Sequence, residues 1–122
     1  MKKLKTGMHR FTDVHADDKL TDGGVPYKYY ISKSYGSESN TVTGEFGHIQ
    51  FQKGPVGEVG VNGGFMEDLL IIVADRLEEF QNGSFACREN ALALTKIQEA
   101  LHWLNHRTAD RIERDVEETG EK

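Results

Sequence analysis

The stretch FMEDLLIIVADRLEEF, residues 65–80, decides the fold of this chain. Its apolar side chains recur at helical spacing, at Met66, Leu69, Leu70, Val73, Leu77 and Phe80. Further apolar residues lie off this stripe, so a helix formed here needs cover on more than one side. Asn62 is the candidate N-cap of this helix, and Gln81-Asn82-Gly83 is its stop signal.

A second helical pattern follows in residues 84–118, SFACRENALALTKIQEALHWLNHRTADRIERDVEE, with Ser84 as its candidate N-cap. Its apolar stripe consists of Ala91, Leu94, Ile97, Leu101, Leu104, Thr108 and Ile112. The two patterns predict an antiparallel helical hairpin over residues 62–118, with helices of roughly 25 Å and roughly 45–50 Å. The longer helix then overhangs the shorter one, and residues 105–118 must meet the strands, another subunit or water.

The segment before the hairpin, residues 27–61, is predicted to form a small β module. Tyr27, Tyr29 and Ile31 alternate with more polar side chains, and a second strand follows at about Glu45 to Gln52. Together they predict a pair of antiparallel strands, which must pack on another element because a lone strand pair is marginal in water. Residues 1–26 show no periodicity and are expected to form an extended arm.

Glycine recurs at every third position between these two parts, at Gly54, Gly57, Gly60 and Gly63. The run is too short for collagen and fits neither the dinucleotide-binding nor the P-loop pattern. It is typical of tight turns with one short strand near residues 56–61. The alternative is a backbone kept bare so that a ligand or a neighbouring chain can approach closely.

Composition narrows the fold and the function classes. The chain has 122 residues, of which 37% are apolar, so its core is thin and association between copies would help it. We therefore expect an α+β fold over one domain, residues 1–122: a small N-terminal antiparallel β module followed by a long antiparallel α-helical hairpin that oligomerises.

A net charge of −5 argues against a nucleic-acid polymer as partner, and no apolar run is long enough for a membrane span. With Cys87 as the only cysteine and no signal sequence, we expect a cytoplasmic protein without an intrachain disulfide.

Two arginines are the strongest candidates for binding. Arg107 and Arg111 lie four residues apart on the predicted helix, so they share a face and repel each other unless an anion lies between them. A pyrophosphate has about that span and accepts bidentate hydrogen bonds. The alternative for Arg107 is an ion pair with a neighbouring chain, or with Glu67 or Asp68.

Phe80 and Asn90 are candidates of a second kind. Phe80 offers an aromatic surface for base stacking, with packing in a core or an interface as the alternative. The amide of Asn90 matches an adenine edge or a ribose hydroxyl, with helix capping or solvation as the alternative. The pair His102 and His106 lacks a third metal ligand, and no motif frames a catalytic nucleophile. We therefore expect no catalytic residue, metal or cofactor.

The longer motifs resemble a known family. The carrying stretches are FQKGPVGEVGVNG at 51–63, EDL at 67–69, RLEEFQ at 76–81, ENALALTKIQEALHWL at 89–104, and the pattern RTxxRxxRxVE at 107–117. The chain is thereby similar, over about residues 46–118, to the first Thoeris anti-defence family of phage immune-evasion proteins. The helical hairpin of that family is shared with the anti-CBASS cyclic-nucleotide sponges.

The resemblance implies a non-catalytic protein of the infected host's cytoplasm that sequesters a signalling nucleotide. For the Thoeris branch the signal is a glyco-cyclic ADP-ribose made by a TIR-domain enzyme, and some members also take cyclic trinucleotides or dinucleotides. Family members form homodimers, or homohexamers built as trimers of dimers, with the ligand between chains. The positions implied as ligand contacts are Phe80 for stacking, Asn90 for polar recognition, and Arg107 and Arg111 for the pyrophosphate. Lys53, in the glycine-rich segment, is an additional candidate contact.

Two other functions remain open at this point. A small phosphodiesterase or nucleotidase would destroy the same signal. An oligomeric adaptor would bind a host protein through the apolar helix of residues 65–80.

Overall fold

The computed structural model describes residues 1–4, 11–34 and 45–113, and the side chains of the last helix as far as Asp110. The chain divides into two compact units, one made of Met1–Gly54 with Val61–Gly64 and the other of Pro55–Gly60 with Phe65–Lys122. The fold is α+β, with an N-terminal antiparallel sheet and C-terminal helices, as predicted. The expectation of one domain over residues 1–122 stays a prediction, because compact units need not fold independently.

The first unit is built on a four-stranded antiparallel sheet in the order β1-β2-β5-β6. Its strands are β1 (Lys2–Leu4), β2 (Thr12–Ala16), β5 (Lys28–Lys33) and β6 (Glu45–Gln50). Two short strands, β3 (Thr21–Asp22) and β4 (Val25–Pro26), pair with each other between β2 and β5. The predicted pairing of β5 with β6 is confirmed, with Tyr29 opposite Ile49 and Ile31 opposite Gly47.

The prediction of an extended arm over residues 1–26 is wrong, because β1 and β2 are members of the sheet. Strand β2 pairs with β5 in a register that sets Val14 opposite Ile31 and Ala16 opposite Tyr29. Directly opposed side chains of an antiparallel pair share a face, so these residues form the apolar side of the sheet. Ala16 is buried at 2% exposure.

Polar residues lie on the opposite side of the same strands. His15 and Ser32 are buried there at 1% and 2% exposure. Lys3 forms an ion pair with Asp13 at 3.4 Å between Nζ and Oδ1, and both side chains are mostly shielded from solvent. This side of the sheet is therefore polar but not fully solvated.

A network of side-chain amides closes the loop neck, which we define as residues 50–54 and 61–64. The amide of Asn62 accepts from the backbone N–H of Lys53 at 2.8 Å and donates to its carbonyl at 2.7 Å. Gln52 Oε1 accepts from the backbone N–H of Asn62 at 2.9 Å. Gly63 permits the close approach, since a Cβ there would lie 2.5 Å from the carbonyl carbon and oxygen of Phe51.

The glycine-rich segment contains one helical turn, α1 (Val56–Val59), where the sequence analysis predicted a short strand. Pro55 precedes the turn with φ of −66°, and its carbonyl accepts from the backbone N–H groups of Glu58 and Val59 at 3.0 Å. Gly60 ends the turn at φ of 76°, a conformation that favours glycine. Proline before the turn and glycine after it therefore outweigh the strand propensity of the valines.

The second unit contains the two long helices, α2 (Met66–Gln81) and α3 (Arg88–Glu113). They pack against each other and run in opposite directions, since Glu78 contacts Gln98 while Glu67 contacts Arg107. Helix α2 is capped at Phe65, whose N–H donates to the Asp68 carboxylate at 2.9 Å.

Three details of the helix predictions need correction. The predicted N-cap Asn62 serves the loop neck instead, and the predicted N-cap Ser84 lies in the turn before α3. Helix α3 starts at Arg88, so the overhang predicted from residue 105 is shorter: Arg107 still lies beside Glu67 at the start of α2. The predicted helical residues 114–118 lie outside the described residues. Within the described helices, none is both long enough and apolar enough to span a bilayer.

Candidate functional site

Arg107 lies where α3 passes the first turn of α2. Its Nη2 is 4.0 Å from Oε1 of Glu67, the outer limit of an ion pair, and the two side chains are 40% and 20% exposed. The Nε atom of Arg107 is buried and has no hydrogen-bond partner among the described residues. A guanidinium normally directs five N–H donors at acceptors, so this arginine has unused donor capacity.

The ion pair with Glu67 is the alternative that the sequence analysis left open for Arg107. It is present, but its length and partial exposure limit its strength, because pairs of this kind contribute about 0–1 kcal/mol. It also leaves Nε unpaired, which costs about 1–3 kcal/mol when the donor is buried. The ion pair alone therefore gives no stability reason for an arginine at this position.

Arg111 lies one helical turn beyond Arg107, on the backbone of α3. Its side chain lies outside the described residues, and its predicted role as a second phosphate ligand stays a prediction.

Phe80 lies at the other end of the helix pair, in the last turn of α2. Its ring meets the ring of Phe85 edge to face, with centroids 6.1 Å apart and an interplanar angle of 80°. The guanidinium carbon of Arg76 is 4.9 Å from the centroid of the Phe80 ring. Phe80 is half-buried, and Phe85 is 72% exposed. The result is a partly exposed aromatic platform, which we define as Phe80, Phe85 and Arg76.

Asn90 lies in the first turn of α3, close to this platform. Its Nδ2 donates to the carbonyl of Phe85 at 3.4 Å, and its backbone N–H donates to Sγ of Cys87 at 3.4 Å. Cys87 therefore takes the capping place that the sequence analysis gave to Ser84. The Asn90 side chain is half-buried, and it joins the turn that carries Phe85 to α3.

Lys53 belongs to the first unit, at the loop neck. Asn62 holds both of its backbone polar groups, and its Nζ lies 5.2 Å from the centroid of the Tyr27 ring. The structure therefore gives Lys53 a fixed backbone and a cation–π contact. It does not test a role in ligand binding.

The candidate residues of the second unit fall into two groups that one chain does not bring together. Phe80 and Asn90 lie beside the turn between the helices, whereas Arg107 lies beside the start of α2. Asn90 and Arg107 are separated by about 25 Å along α3, at 1.5 Å per residue. A ligand the size of a cyclic dinucleotide or smaller cannot bridge that distance within one chain.

His102 and His106, the pair with the spacing of metal ligands, contact an aromatic ring. His102 and His106 both pack edge to face against Trp103, at ring-centroid distances of 5.4 and 6.1 Å. Within residues 1–4, 11–34 and 45–110, no three His, Cys, Asp or Glu side chains are grouped to hold a metal ion.

Sequence reasoning missed Arg76. The signal was available, because Arg76 precedes Phe80 by four residues on a predicted helix, the spacing at which side chains meet.

The helix pair that carries these groups defines the class of the protein. A family model described as "Acb2/Tad1, hairpin domain" matches residues 44–109, which is more than half of the chain. The chain belongs to the Acb2/Tad1 hairpin family. Of the candidate residues, Arg111 alone lies beyond the matched range.

A particular relative extends the match over nearly the whole chain. The chain is 46% identical over 119 residues to the protein named Thoeris anti-defense 1 of Bacillus phage SBSphiJ7. The alignment covers 93% of this chain and 80% of the phage protein. The family resemblance predicted from the sequence motifs is confirmed.

Proposed function

We propose that this chain is a phage anti-defence protein that binds and sequesters a host nucleotide second messenger without cleaving it. The relative from Bacillus phage SBSphiJ7 carries the name Thoeris anti-defense 1, which supports the anti-defence role. The proposed ligand is the glyco-cyclic ADP-ribose that a TIR-domain enzyme makes in Thoeris defence. Cyclic trinucleotides or dinucleotides of CBASS are proposed as further ligands.

The observation that carries the proposal is the state of Arg107. Among the described residues, the half-buried guanidinium of Arg107 has an unpartnered Nε and only a long ion pair to Glu67, which is costly unless it later receives an acceptor. A phosphate group is an acceptor that arginine binds with short, charge-assisted hydrogen bonds. Arg107 is thus the proposed pyrophosphate ligand, together with Arg111.

The site is proposed to form between two copies of the chain. Asn90 lies about 25 Å from Arg107 along α3, and Phe80 of α2 lies at the same end of the helix pair as Asn90. One copy therefore supplies the platform and the other supplies the arginines. In this arrangement the base stacks on Phe80, Asn90 reads a polar edge, and the arginines of the second copy hold the pyrophosphate. Lys53 is proposed as an additional contact.

Exposed apolar residues on α2 support association between copies. Ile71 and Ile72 are 55% and 63% exposed in the single chain, and Val73 is also exposed. Burying a side chain of this size contributes about 1.5–3 kcal/mol, so covering this surface with a second copy would stabilise the association of the two chains. We propose a homodimer, or a homohexamer built as a trimer of dimers.

Recovery of the ligand tests sequestration directly. The protein is incubated with a TIR-generated glyco-cyclic ADP-ribose, the free ligand is removed, and the protein is boiled before the supernatant is chromatographed. We expect the intact ligand to be retained before boiling and released after it. An Arg107→Ala variant is the negative control for binding at the proposed site, and we expect it to retain little ligand.

The other outcomes identify the alternatives. Fragments of the ligand after incubation would mean a phosphodiesterase or nucleotidase. Intact ligand that was never retained would leave the adaptor function, in which the exposed residues of α2 bind a host protein. A native mass spectrum separates that case, because a homo-oligomer would already cover this surface.

A further inference from the structure

We infer that Arg76 is a positioning residue of the aromatic platform, where it fixes the Phe80 ring and supplies the positive charge that admits an anionic nucleotide. The inference rests on the proposed function and adds a specificity-determining cation to the base-stacking part of that site.

The geometry is that of a cation–π pair. The guanidinium carbon of Arg76 lies 4.9 Å from the centroid of the Phe80 ring, within the roughly 6 Å over which a ring attracts a cation. Phe85 contacts the same ring edge to face. Two neighbours thus restrict the orientation of Phe80 before any ligand arrives, which lowers the entropy cost of stacking a base on it.

The part of the chain that the structure describes gives Arg76 no competing acidic partner. Among the described residues, no carboxylate forms an ion pair with its guanidinium, although Asp75, Glu78 and Glu79 are its neighbours in sequence. The platform therefore holds a guanidinium whose N–H donors are available. A guanidinium that contacts a ring with one face still presents its N–H edge in its own plane, which suits phosphate and ribose oxygens.

The surrounding charge explains why a cation is needed here. At this end of the helix pair, where Glu78 lies level with Gln98, the acidic residues are Asp75, Glu78, Glu79, Glu89 and Glu99, and the basic ones are Arg76, Arg88 and Lys96. A phosphate-bearing ligand that stacks on Phe80 meets a net negative surface, which repels it at separations within a Debye length of about 8–10 Å. Of the two arginines, Arg76 is the one that contacts the platform ring.

Three variants separate a positioned cation from a general charge effect. Arg76→Gln removes the charge, Arg76→Lys keeps the charge but loses the planar fork, and Arg88→Gln removes one charge from the same end of the helix pair. Affinity is measured by titration calorimetry with TIR-generated glyco-cyclic ADP-ribose, after circular dichroism shows that each variant keeps its helices. We expect Arg76→Gln to weaken binding about 5- to 30-fold, Arg76→Lys less, and Arg88→Gln by at most about twofold.

A second readout needs no ligand. Proton NMR of the free protein should show the Arg76 Cδ protons shifted upfield by the Phe80 ring, and Phe80→Leu should abolish that shift. Equal losses of affinity in Arg76→Gln and Arg88→Gln would overturn the positioning role, because only net charge would then matter. Tight binding by wild type and by Arg76→Gln alike would overturn the inference while the proposed function stands. Absence of binding by wild type would overturn the proposed function, and the inference with it.

Discussion

Replacing Arg107 with methionine should separate two effects of this residue. One is its effect on the stability of the ligand-free protein, and the other is its contribution to ligand affinity. Methionine keeps an unbranched apolar stem and removes the buried Nε of Arg107, which has no hydrogen-bond partner among the described residues. Removing a buried donor that lacks a partner removes a desolvation penalty of about 1–3 kcal/mol, while the lost ion pair to Glu67 contributed at most about 1 kcal/mol to stability. We therefore expect the free energy of unfolding of the ligand-free variant to be unchanged or raised by up to about 3 kcal/mol.

The affinity for the ligand, in contrast, should fall in the Arg107→Met variant. A phosphate held between chains loses a charged partner in this variant, which costs at least about 2 kcal/mol, or roughly 30-fold in Kd. Thermal unfolding followed by circular dichroism measures the first effect, with about 4 °C expected for each kcal/mol in a chain of this size. Titration calorimetry with glyco-cyclic ADP-ribose measures the second.

Lys96→Met is the matched control for Arg107→Met. Lys96 lies on the same helix and has an ion pair of similar length, 3.9 Å to Glu99, but its side chain is 78% exposed. We expect this control to change neither stability nor affinity by more than about 0.5 kcal/mol. The reasoning would be refuted if Arg107→Met destabilised the free protein by more than about 1 kcal/mol and left Kd unchanged. Arg107 would then be a structural bridge to Glu67.

Three further substitutions test the loop neck and the exposed surface of α2. Gly63→Ala should destabilise the protein by about 1–3 kcal/mol in chemical unfolding, because its Cβ would lie 2.5 Å from the Phe51 backbone. In the control Gly47→Ala the new Cβ meets no atom within 4 Å, so the loss of stability should be much smaller. Asn62→Ala removes two backbone hydrogen bonds of 2.7 and 2.8 Å and should lower the free energy of unfolding by about 1–2 kcal/mol; an unchanged melting temperature would mean that the neck closes without it. Ile72→Glu should shift the native mass spectrum toward the monomer, because it places a charge on a surface that association is proposed to bury; an unchanged mass distribution would locate the contact between copies elsewhere.

The helices could be predicted because their signals are local. The apolar stripe of α2 and its stop at Gln81 are encoded within one stretch of sequence, and the helix ends at that residue. The strand pair β5 and β6 could be predicted for the same reason, since Tyr29 and Ile31 alternate with more polar side chains. Strands β1 and β2 could not, because they span only three and five residues, which is too short for a clear alternation of apolar and polar side chains.

Side chains that serve a distant part of the chain explain the remaining errors. Asn62 has the residue type and the place of an N-cap, but its amide is used by the backbone of Lys53. For the candidate site, the sequence identified Phe80, Asn90 and Arg107 as separate features, and their position along α2 and α3 became clear only from the packing of the helices. The burial of the Arg107 Nε atom, and its lack of a partner among the described residues, follow from the three-dimensional packing and cannot be inferred from the sequence.

The length of α3 between Asn90 and Arg107 has a consequence for infection. If each complete site takes its platform from one copy and its arginines from another, capture follows mass action. Below the dissociation constant of the dimer, the number of working sites grows with the square of the chain concentration. Sequestration of the nucleotide messenger would then rise steeply once enough protein has accumulated. Early, abundant expression would increase the amount of messenger bound more than a modest gain in affinity would.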